Sequence, residues 1–495
     1  MQRRVPARLS CSFHRTPRHG ASRRGFASEA TSASTPGPEP ELYDVVCVGG
    51  GPAGLSLLTG LRSSPATSHL KMALIDGLDL DKGKMRNPSP ESYSNRCSSL
   101  TPASVSYLKE IGAWRHIHTE RVQPYQEMQV WDGVTASRIS FDSNPSHMST
   151  IATMVENPNI TTALLTRLTS LSPSTAIFSP SRVASIALGA STPKLDLSSW
   201  PVVTLADGRR LAARLLVGAD GANSPVRTFA GIESRGWDYD AVGVVATLKL
   251  EGLGRGGGGH KVAYQRFLPS GPIAMLPLPG DMATLVWSTT RKRSTILKGL
   301  GTGSGFAHMV NAGFRLEAVD IEYLHQVAGE KGVAAEAEIA DEVAWRETHT
   351  RWDESKVPMR VVGVQNSSIA SFPLRMRHAD TYTGERVALV GDAAHTIHPL
   401  AGQGLNQGQG DAAALAHTIA RAVEQGQDIG SLLALEPYTS ERYLANNAML
   451  GVVDKLHKLY RVQSGPLVPL RSWGLSAVDS FGWVKGWLIG RAAGI

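Results

Sequence analysis

An α/β chain is predicted: a Rossmann-like nucleotide-binding domain, an interleaved antiparallel-sheet domain and a C-terminal helical region. Three observations predict it. A strand, a glycine turn and an apolar helix run from Tyr43 to Leu58. A second apolar strand ends on Asp220-Gly221, and a third ends on Gly391-Asp392 before a glycine-punctuated loop and a helix starting near Gly404. Between the second and third lie short apolar runs broken by Gly and Pro, the pattern of an antiparallel meander.

In the first element, Gly49, Gly51 and Gly54 fit G-x-G-x-x-G. In such a turn the first glycine makes the bend, the second admits a pyrophosphate and the third packs helix on strand. A further strand from Lys71 ends at Asp76, an acid 22 residues after Gly54 and suitably placed for a ribose. Thr101 and Pro102 then read as a helix cap and first turn. Met128 to Asp132 is a strand, Thr161 to Leu171 an apolar-periodic helix, and Leu215 to Val217 the strand leading to Asp220. The meander comprises Val242–Leu250, Val262–Leu268, Pro272–Pro277 and Met282–Thr290. Residues 291–365 carry charged helical patterns and read as a solvated cover, and the Gly256–Gly259 run reads as a loop.

The third motif carries the most chemistry. A helix start presents unpaired N–H groups and the positive end of its dipole. An aspartate just before it can hold sugar hydroxyls. Together they seat a polyol chain with an anion beyond it, and a flavin offers both. The expected cofactor is therefore FAD.

The chain has 495 residues and a formal charge of +7. Residues 1–26 hold seven arginines and no acid, so removing them leaves 43 basic residues against 43 acidic ones. A neutral remainder implies no nucleic-acid partner. The Arg- and Ser-rich leader resembles a mitochondrial presequence cut after Phe26. The expected organisation is presequence 1–26, flexible linker 27–41, nucleotide domain 42–235 with interleaved substrate-side strands, antiparallel-sheet substrate domain with helical cover 236–375, return to the nucleotide domain 376–425, and C-terminal helices 426–495. Three cysteines (Cys11, Cys47, Cys97) form no disulfide framework. His395 and His398 lack the further ligands that a metal site needs, so no metal is expected. No run of 18 apolar residues is present.

The glycine turn, Asp220-Gly221 and Gly391-Asp392, in that order, resemble the para-hydroxybenzoate-hydroxylase-like flavoprotein monooxygenases. Tyr93 to Ser99, Met128 to Asp132, Gln265 to Pro272, Leu285 to Ser288 and His398 to Gly404 are similar to the mitochondrial ubiquinone-biosynthesis monooxygenases, and the match continues at Arg471 to Gly474. It departs at residues 291–365 and at Gln407 and Gln409, where relatives are more apolar. The resemblance implies ring hydroxylation, at C5, of a polyprenylated 4-hydroxybenzoate by reduced FAD and O₂ through an oxygen adduct at flavin C4a. It also implies electrons from ferredoxin and ferredoxin reductase, and a peripheral place on the matrix side of the mitochondrial inner membrane among other ubiquinone-biosynthesis enzymes.

By the same resemblance, Gly49, Gly51 and Gly54 hold the pyrophosphate and Asp76 the adenosine ribose. Arg96 lies along the FAD, Asp220 and Gly221 serve the diphosphate side, and Asp392 the ribityl chain. Gly402, Gly404, Leu405 and Asn406 bring backbone amides to the flavin ring, stabilising the reduced anion. Phe267, Leu276, Leu278 and Trp287 are expected walls for the substrate ring, each equally readable as sheet core. No catalytic base is assigned. Trp473, Phe481, Trp483, Trp487, Leu488 and Ile489, flanked by Lys485 and Arg491, form either an interfacial helix or a terminal helix packed on its own domain. Two further readings stay open: an NAD(P)H-dependent hydroxylase of a soluble aromatic substrate, and a flavin-bound structural subunit of a biosynthetic complex. A halogenase is disfavoured, because no Trp-x-Trp-x-Ile-Pro segment occurs.

Overall fold

The structure is a computed structural model; it describes residues 39–86, 88–135, 137–142, 150–252, 262–350, 352–397 and 403–461. The expected presequence, Gly402, His398 and the aromatic C-terminal segment lie outside the described residues.

The described residues begin with β1 (Glu41–Val48), α1 (Pro52–Ser63), β2 (Met72–Ile75), β3 (Cys97–Leu100) and α2 (Pro102–Glu110). There follow β4 (Gln123–Tyr125), β5 (Glu127–Asp132), β6 (Arg138–Asp142), β7 (Ala152–Glu156), α3 (Asn157–Ser170) and β8 (Ala176–Phe178). Next are β9 (Val183–Leu188), β10 (Pro201–Leu205), β11 (Arg210–Gly218), α4 (Pro225–Phe229), β12 (Ser234–Leu250), β13 (Val262–Leu268), β14 (Gly271–Leu278) and β15 (Met282–Thr290). Four helices come next: α5 (Arg291–Gly299), α6 (Ser304–Arg315), α7 (Ala318–Lys331) and α8 (Glu336–His349). The described residues end with β16 (Val361–Val364), β17 (Ala370–Ala379), β18 (Thr383–Gly384), β19 (Val387–Leu389), β20 (His395–Thr396), α9 (Gly404–Glu424) and α10 (Leu432–Arg461).

One sheet runs β18-β19-β11-β1-β2-β8, with β10 and β9 continuing from β11. Its central strands β19, β11, β1, β2 and β8 are parallel, and their near-continuous apolar residues are buried on both faces, as a parallel sheet under helices requires. Strands whose sequences lie far apart thus end side by side. Val48, Gly218 and Leu389 are neighbours across three strands, which brings the glycine turn, Asp220 and Gly391-Asp392 to one sheet edge. Ligands of open α/β sheets bind at that edge.

The second sheet runs β20-β17-β12-β15-β14-β13-β5-β6. Here β12 pairs with β15 and not with its sequence neighbour β13, while β5 joins β13 in parallel. A small third sheet, β3-β7-β4, sits with its Cys97 against the second. Helix α3 starts at Asn157, before the Thr161 expected from apolar spacing, because Pro158 occupies its first turn. Thr101 caps α2 as expected, its hydroxyl accepting the Ser104 N–H at 3.3 Å.

Strand alternation gives the second sheet two faces. Ile273, Met275, Leu285 and Trp287 pack against Phe306, Met309 and Phe314 of the helical cover. Leu276 and Leu278 point the other way, into a cluster with Tyr93, Cys97, Tyr125 and Met154 beside the nucleotide domain. Phe267 shares that face, stacked on Tyr460 of α10 with ring centroids 4.0 Å apart. Trp287, expected as a substrate wall with these three, is on the cover face: a Cβ added at Gly313 of α6 would sit 3.4 Å from its ring. Among the described residues no helix is long and apolar enough to cross a membrane.

Candidate functional site

The glycine turn has the geometry that its spacing implies. Gly49 has φ of +110°, and a Cβ there would lie 2.2 Å from the Ala219 carbonyl oxygen. A Cβ on Gly54 would lie 2.1 Å from the Gly49 oxygen. Only glycine fits at either place. At Gly51 a Cβ would meet nothing within 4 Å, so the space beside it is open to a ligand. Asp76 accepts the Gly50 N–H at 2.6 Å and the Leu78 N–H at 2.7 Å. A carboxylate offers about four lone-pair sites, so capacity remains for ribose hydroxyls.

Asp220 follows β11. One carboxylate oxygen accepts the Val226 N–H at 3.2 Å; the other is buried with no partner among the described residues. Burial pushes its carboxyl above the ordinary value, against hydrogen bonds from Ser224 and Val226. Gly221 has φ of +83° and open space around it. Arg227 joins this loop to the third motif: its guanidinium donates to the Ala222 and Ala393 carbonyls, each at 2.7 Å.

Gly391 (φ +61°) opens a single 3-10 turn, Gly391–Ala393, after β19. Small residues let three segments meet here: a Cβ on Gly391 would be 3.2 Å from Ala53 of α1, and one on Gly408 of α9 would be 3.4 Å from the same methyl. Asp392 reaches solvent at the mouth of this junction, yet the protein around it raises its carboxyl above the usual range. The first helical hydrogen bond of α9 runs from the Gln407 N–H to the Gln403 oxygen at 2.9 Å. The N–H groups of Gly404, Leu405 and Asn406 precede it and are the donors a helix start presents.

The Asn406 side chain has a different role from its backbone. Its amide donates to Ser99 O at 2.7 Å and accepts from the Thr101 N–H at 3.0 Å and the Ser104 hydroxyl at 2.8 Å. The start of α9 is thereby fixed to β3 and the start of α2. Arg96, just before β3, is exposed, and its guanidinium has no hydrogen bond or ion pair among the described residues. The segment that presents it is anchored below by a buried pair. Arg121 donates to Glu156 at 2.7 and 3.0 Å and to the Ser89 and Ser92 carbonyls, while the Ser94 N–H donates to Glu156 at 2.6 Å.

Sequence reasoning missed the acid that ties the third motif together. Asp411, fully buried in α9, accepts from the Gly391 N–H (3.1 Å), His395 Nε2 (2.6 Å), Arg442 Nε (3.0 Å) and Asn446 Nδ2 (3.0 Å). Burial alone would raise its carboxyl; His395 and Arg442 outweigh that and hold it at about 2. The available signal was an acid on the apolar stripe of a helix, seven positions after Gly404. Gln407 and Gln409 are also buried, and neither amide has a partner among the described residues.

An open space at Gly51, an orphaned oxygen on Asp220, an unpaired Arg96 and a helix start are features that a dinucleotide cofactor with an anionic ring would satisfy. Known proteins agree. A model of the FAD binding domain family matches residues 42–295 and 317–451. The ubiquinone biosynthesis monooxygenase COQ6 of Saccharomyces cerevisiae is 42% identical over 487 residues, covering 95% of this chain and 96% of that one. Its Homo sapiens counterpart is 37% identical over 444 residues, covering 90% and 91%; both relatives are named mitochondrial. Among solved structures, the p-nitrophenol 4-monooxygenase PnpA of Pseudomonas putida DLL-E4 superposes with a TM-score of 0.63 at 16% identity, covering 91% of this chain and 97% of that one. PqsL of Pseudomonas aeruginosa superposes with a TM-score of 0.60 at 20% identity, covering 88% and 100%. These two likenesses establish the fold. The chain belongs to the FAD binding domain family and, within it, to the COQ6 ubiquinone biosynthesis monooxygenases, which are FAD-dependent enzymes.

Proposed function

We propose that this chain hydroxylates ring carbon C5 of a polyprenyl-4-hydroxybenzoate-type intermediate, from the matrix side of the mitochondrial inner membrane. The observation that carries the reading is the junction at the start of α9. There Asn406 fixes the first turn of α9 to β3, and β3 in turn contributes Cys97 to the apolar cluster of Leu276 and Leu278. A flavin ring at that helix start would have an apolar sheet face beside it, where a phenolic ring can lie.

FAD, when bound, supplies the activation of O₂. The chain's part is binding, orientation and charge. Gly49, Gly51 and Gly54 admit the pyrophosphate, Asp76 takes the ribose, and Arg96 supplies a planar cation for phosphate or ring edges. Asp220 and Gly221 serve the diphosphate side and Asp392 the ribityl hydroxyls. Gly402 stands two positions before the helix in the sequence, and the N–H groups of Gly404, Leu405 and Asn406 stabilise negative charge on the ring. Leu276 and Leu278, with Phe267 further along the same face, exclude water from the reacting carbon. Trp287, on the cover face, takes no part.

Electrons come from ferredoxin and its reductase, and the chain works beside other enzymes of the pathway in a membrane-associated complex. The mitochondrial names of the relatives support that compartment. Two measurements test the proposal. In cells lacking the protein, a prenylated hydroxybenzoate missing one ring oxygen should accumulate; its absence overturns the assigned reaction. Purified holoprotein should be bleached by NADPH only when ferredoxin and its reductase are present. Bleaching by NADPH alone would favour the direct NAD(P)H-dependent reading. Normal quinone synthesis with a flavin-free Asp392→Ala variant would favour a structural subunit.

A further inference from the structure

The segment from Ser89 to Arg96 is held from two sides. On one side Arg121 and Glu156 bind its peptide groups at Ser89, Ser92 and Ser94, and the Asn157 N–H donates to the Arg96 carbonyl at 2.8 Å. On the other side stands the turn joining β16 to β17, which belongs to the antiparallel sheet. Gln365 of that turn grips the backbone of Tyr93 twice. Its Oε1 accepts the Tyr93 N–H at 2.8 Å, and its Nε2 donates to the Tyr93 carbonyl at 2.9 Å. The pair fixes the orientation of the amide, because a peptide N–H needs an acceptor and a carbonyl needs a donor. The Ser368 carbonyl, at the end of the same turn, accepts from Asn95 Nδ2 at 2.6 Å.

The grip is itself anchored. The Gln365 N–H donates to the Thr247 carbonyl at 2.9 Å. The Ser368 hydroxyl donates to the Gln365 carbonyl at 2.7 Å and accepts the Thr247 N–H at 3.1 Å. Thr247 is fully buried in β12, and its own hydroxyl donates to the Tyr93 carbonyl at 3.4 Å. Ordering a glutamine side chain costs rotamer freedom, and β16 and β17 are already paired with β12 without it. The lock therefore serves the segment it holds and not the turn that carries it.

That segment has a purpose at each end. The Tyr93 ring packs with Leu276 and Leu278, the apolar face assigned to the substrate ring. Three positions on, Arg96 is exposed, while its N–H donates to Ser94 Oγ at 3.1 Å. The main chain is thus tied at Tyr93, Ser94 and Arg96, and the Asn95 side chain is tied between them. We infer that Gln365 is a positioning residue: through the Tyr93 backbone it fixes the seat from which Arg96 meets FAD, and so joins the substrate-side sheet to the cofactor. The inference rests on the reading of Arg96 as a cofactor contact.

A double-mutant cycle on the full-length protein tests it, with FAD affinity read by fluorescence quenching and the bound flavin by visible circular dichroism. Arg96→Ala should weaken FAD binding by about tenfold, the loss of a charge-assisted contact. Gln365→Leu should weaken it by about fivefold in the otherwise unaltered protein and by less than about twofold in the Arg96→Ala background. It should also shift the flavin dichroism in the direction that Arg96→Ala does. Equal weakening in both backgrounds, or an unchanged dichroism, would make Gln365 a general brace of the fold and overturn the inference, with Arg96 still on the cofactor. Undiminished FAD binding by Gln365→Leu overturns it too. Normal FAD binding by Arg96→Ala is a different result: it removes Arg96 from the cofactor, and the inference falls with that reading. Should Gln365→Leu fail to fold, Gln365→Glu takes its place in the same cycle. That variant keeps the size and the acceptor but sets a carboxylate oxygen against the Tyr93 carbonyl.

Discussion

Replacing Asp411 by Asn changes one atom's chemistry at the point where the third motif, α9 and α10 converge. The carboxylate accepts from four donors on three segments and has no access to solvent. Its carboxyl is held at about 2 against an ordinary 3.8, which corresponds to about 2 kcal/mol of favourable interaction net of burial. That contribution is fully present above the unfolded value and is lost as pH falls through about 2. The substitution costs more than this figure. An amide keeps one acceptor, turns two hydrogens toward existing donors and leaves the largely buried Arg442 cation without its anion. Breaking a buried pair from one side costs about 3–5 kcal/mol, and the larger figure governs because it includes the stranded charge. For a chain of this length about 1 kcal/mol corresponds to about 1 °C, so Tm should fall by about 3–5 °C at neutral pH. Flavin should be released earlier in the same melt, since the Gly391 N–H loses its anchor. Thermal melts followed by flavin fluorescence at fixed FAD read both. The double variant Asp411→Asn/Arg442→Met should recover part of the loss by removing the unpaired cation. An unchanged melt with full flavin occupancy, or a double variant worse than the single, would refute the assignment of Asp411 as the anchor of this motif.

Three other outcomes follow from the geometry. Gly51→Ala should leave the melting of the flavin-free protein within about 1 °C but weaken FAD binding at least tenfold, whereas Gly54→Ala, whose Cβ would meet the Gly49 oxygen at 2.1 Å, should reduce soluble protein before binding can be measured. Asn406→Ala strands the buried Thr101 N–H and frees the start of α9. A loss of about 2–3 kcal/mol should appear in denaturant melts, with a shifted flavin absorbance band. His325 is held neutral in the fold at about 3 but accepts a proton near 6.5 once unfolded. The folded value is depressed, so its contribution is complete above 6.5 and declines as pH falls toward 3; the decline is about 2 kcal/mol at pH 5. His325→Gln should flatten that part of the stability profile, as measured by denaturant melts at pH 7 and pH 5.

The placement of much of the candidate site was legible because these motifs act through local geometry. A glycine at φ +110° and a proline in the first turn of α1 belong to a motif whose every part lies within a dozen residues. Asp220 and Asp392 were legible for the same reason, each closing a short apolar strand. What could not be read depends on pairing across hundreds of residues. Nothing near Asp411 signals that its partners are Gly391, His395, Arg442 and Asn446, and nothing near Arg121 signals Glu156. Trp287 shows another kind of limit. Alternation along β15 says that Leu285 and Trp287 share a face while Val286 takes the other. It does not say which face meets the nucleotide domain and which the helices. That choice is made by β3, β4 and β7 covering one side and by α5 to α8 covering the other.

The same division explains why the charged region 291–365 reads as a solvated cover and yet supplies an organised interior. Its surface charges pair with one another, as Arg346 does with Asp320 and Glu342. Its inward stripe of Phe306, Met309, Val310 and Phe314 packs on the sheet. A sheet covered on both sides can serve a reaction on one face while its back carries residues that the reaction does not use. Trp287 and His325 are such residues, and their nitrogens, buried without a partner among the described residues, are a standing cost to the cover. A well-packed apolar pair at these positions would stabilise such a cover more.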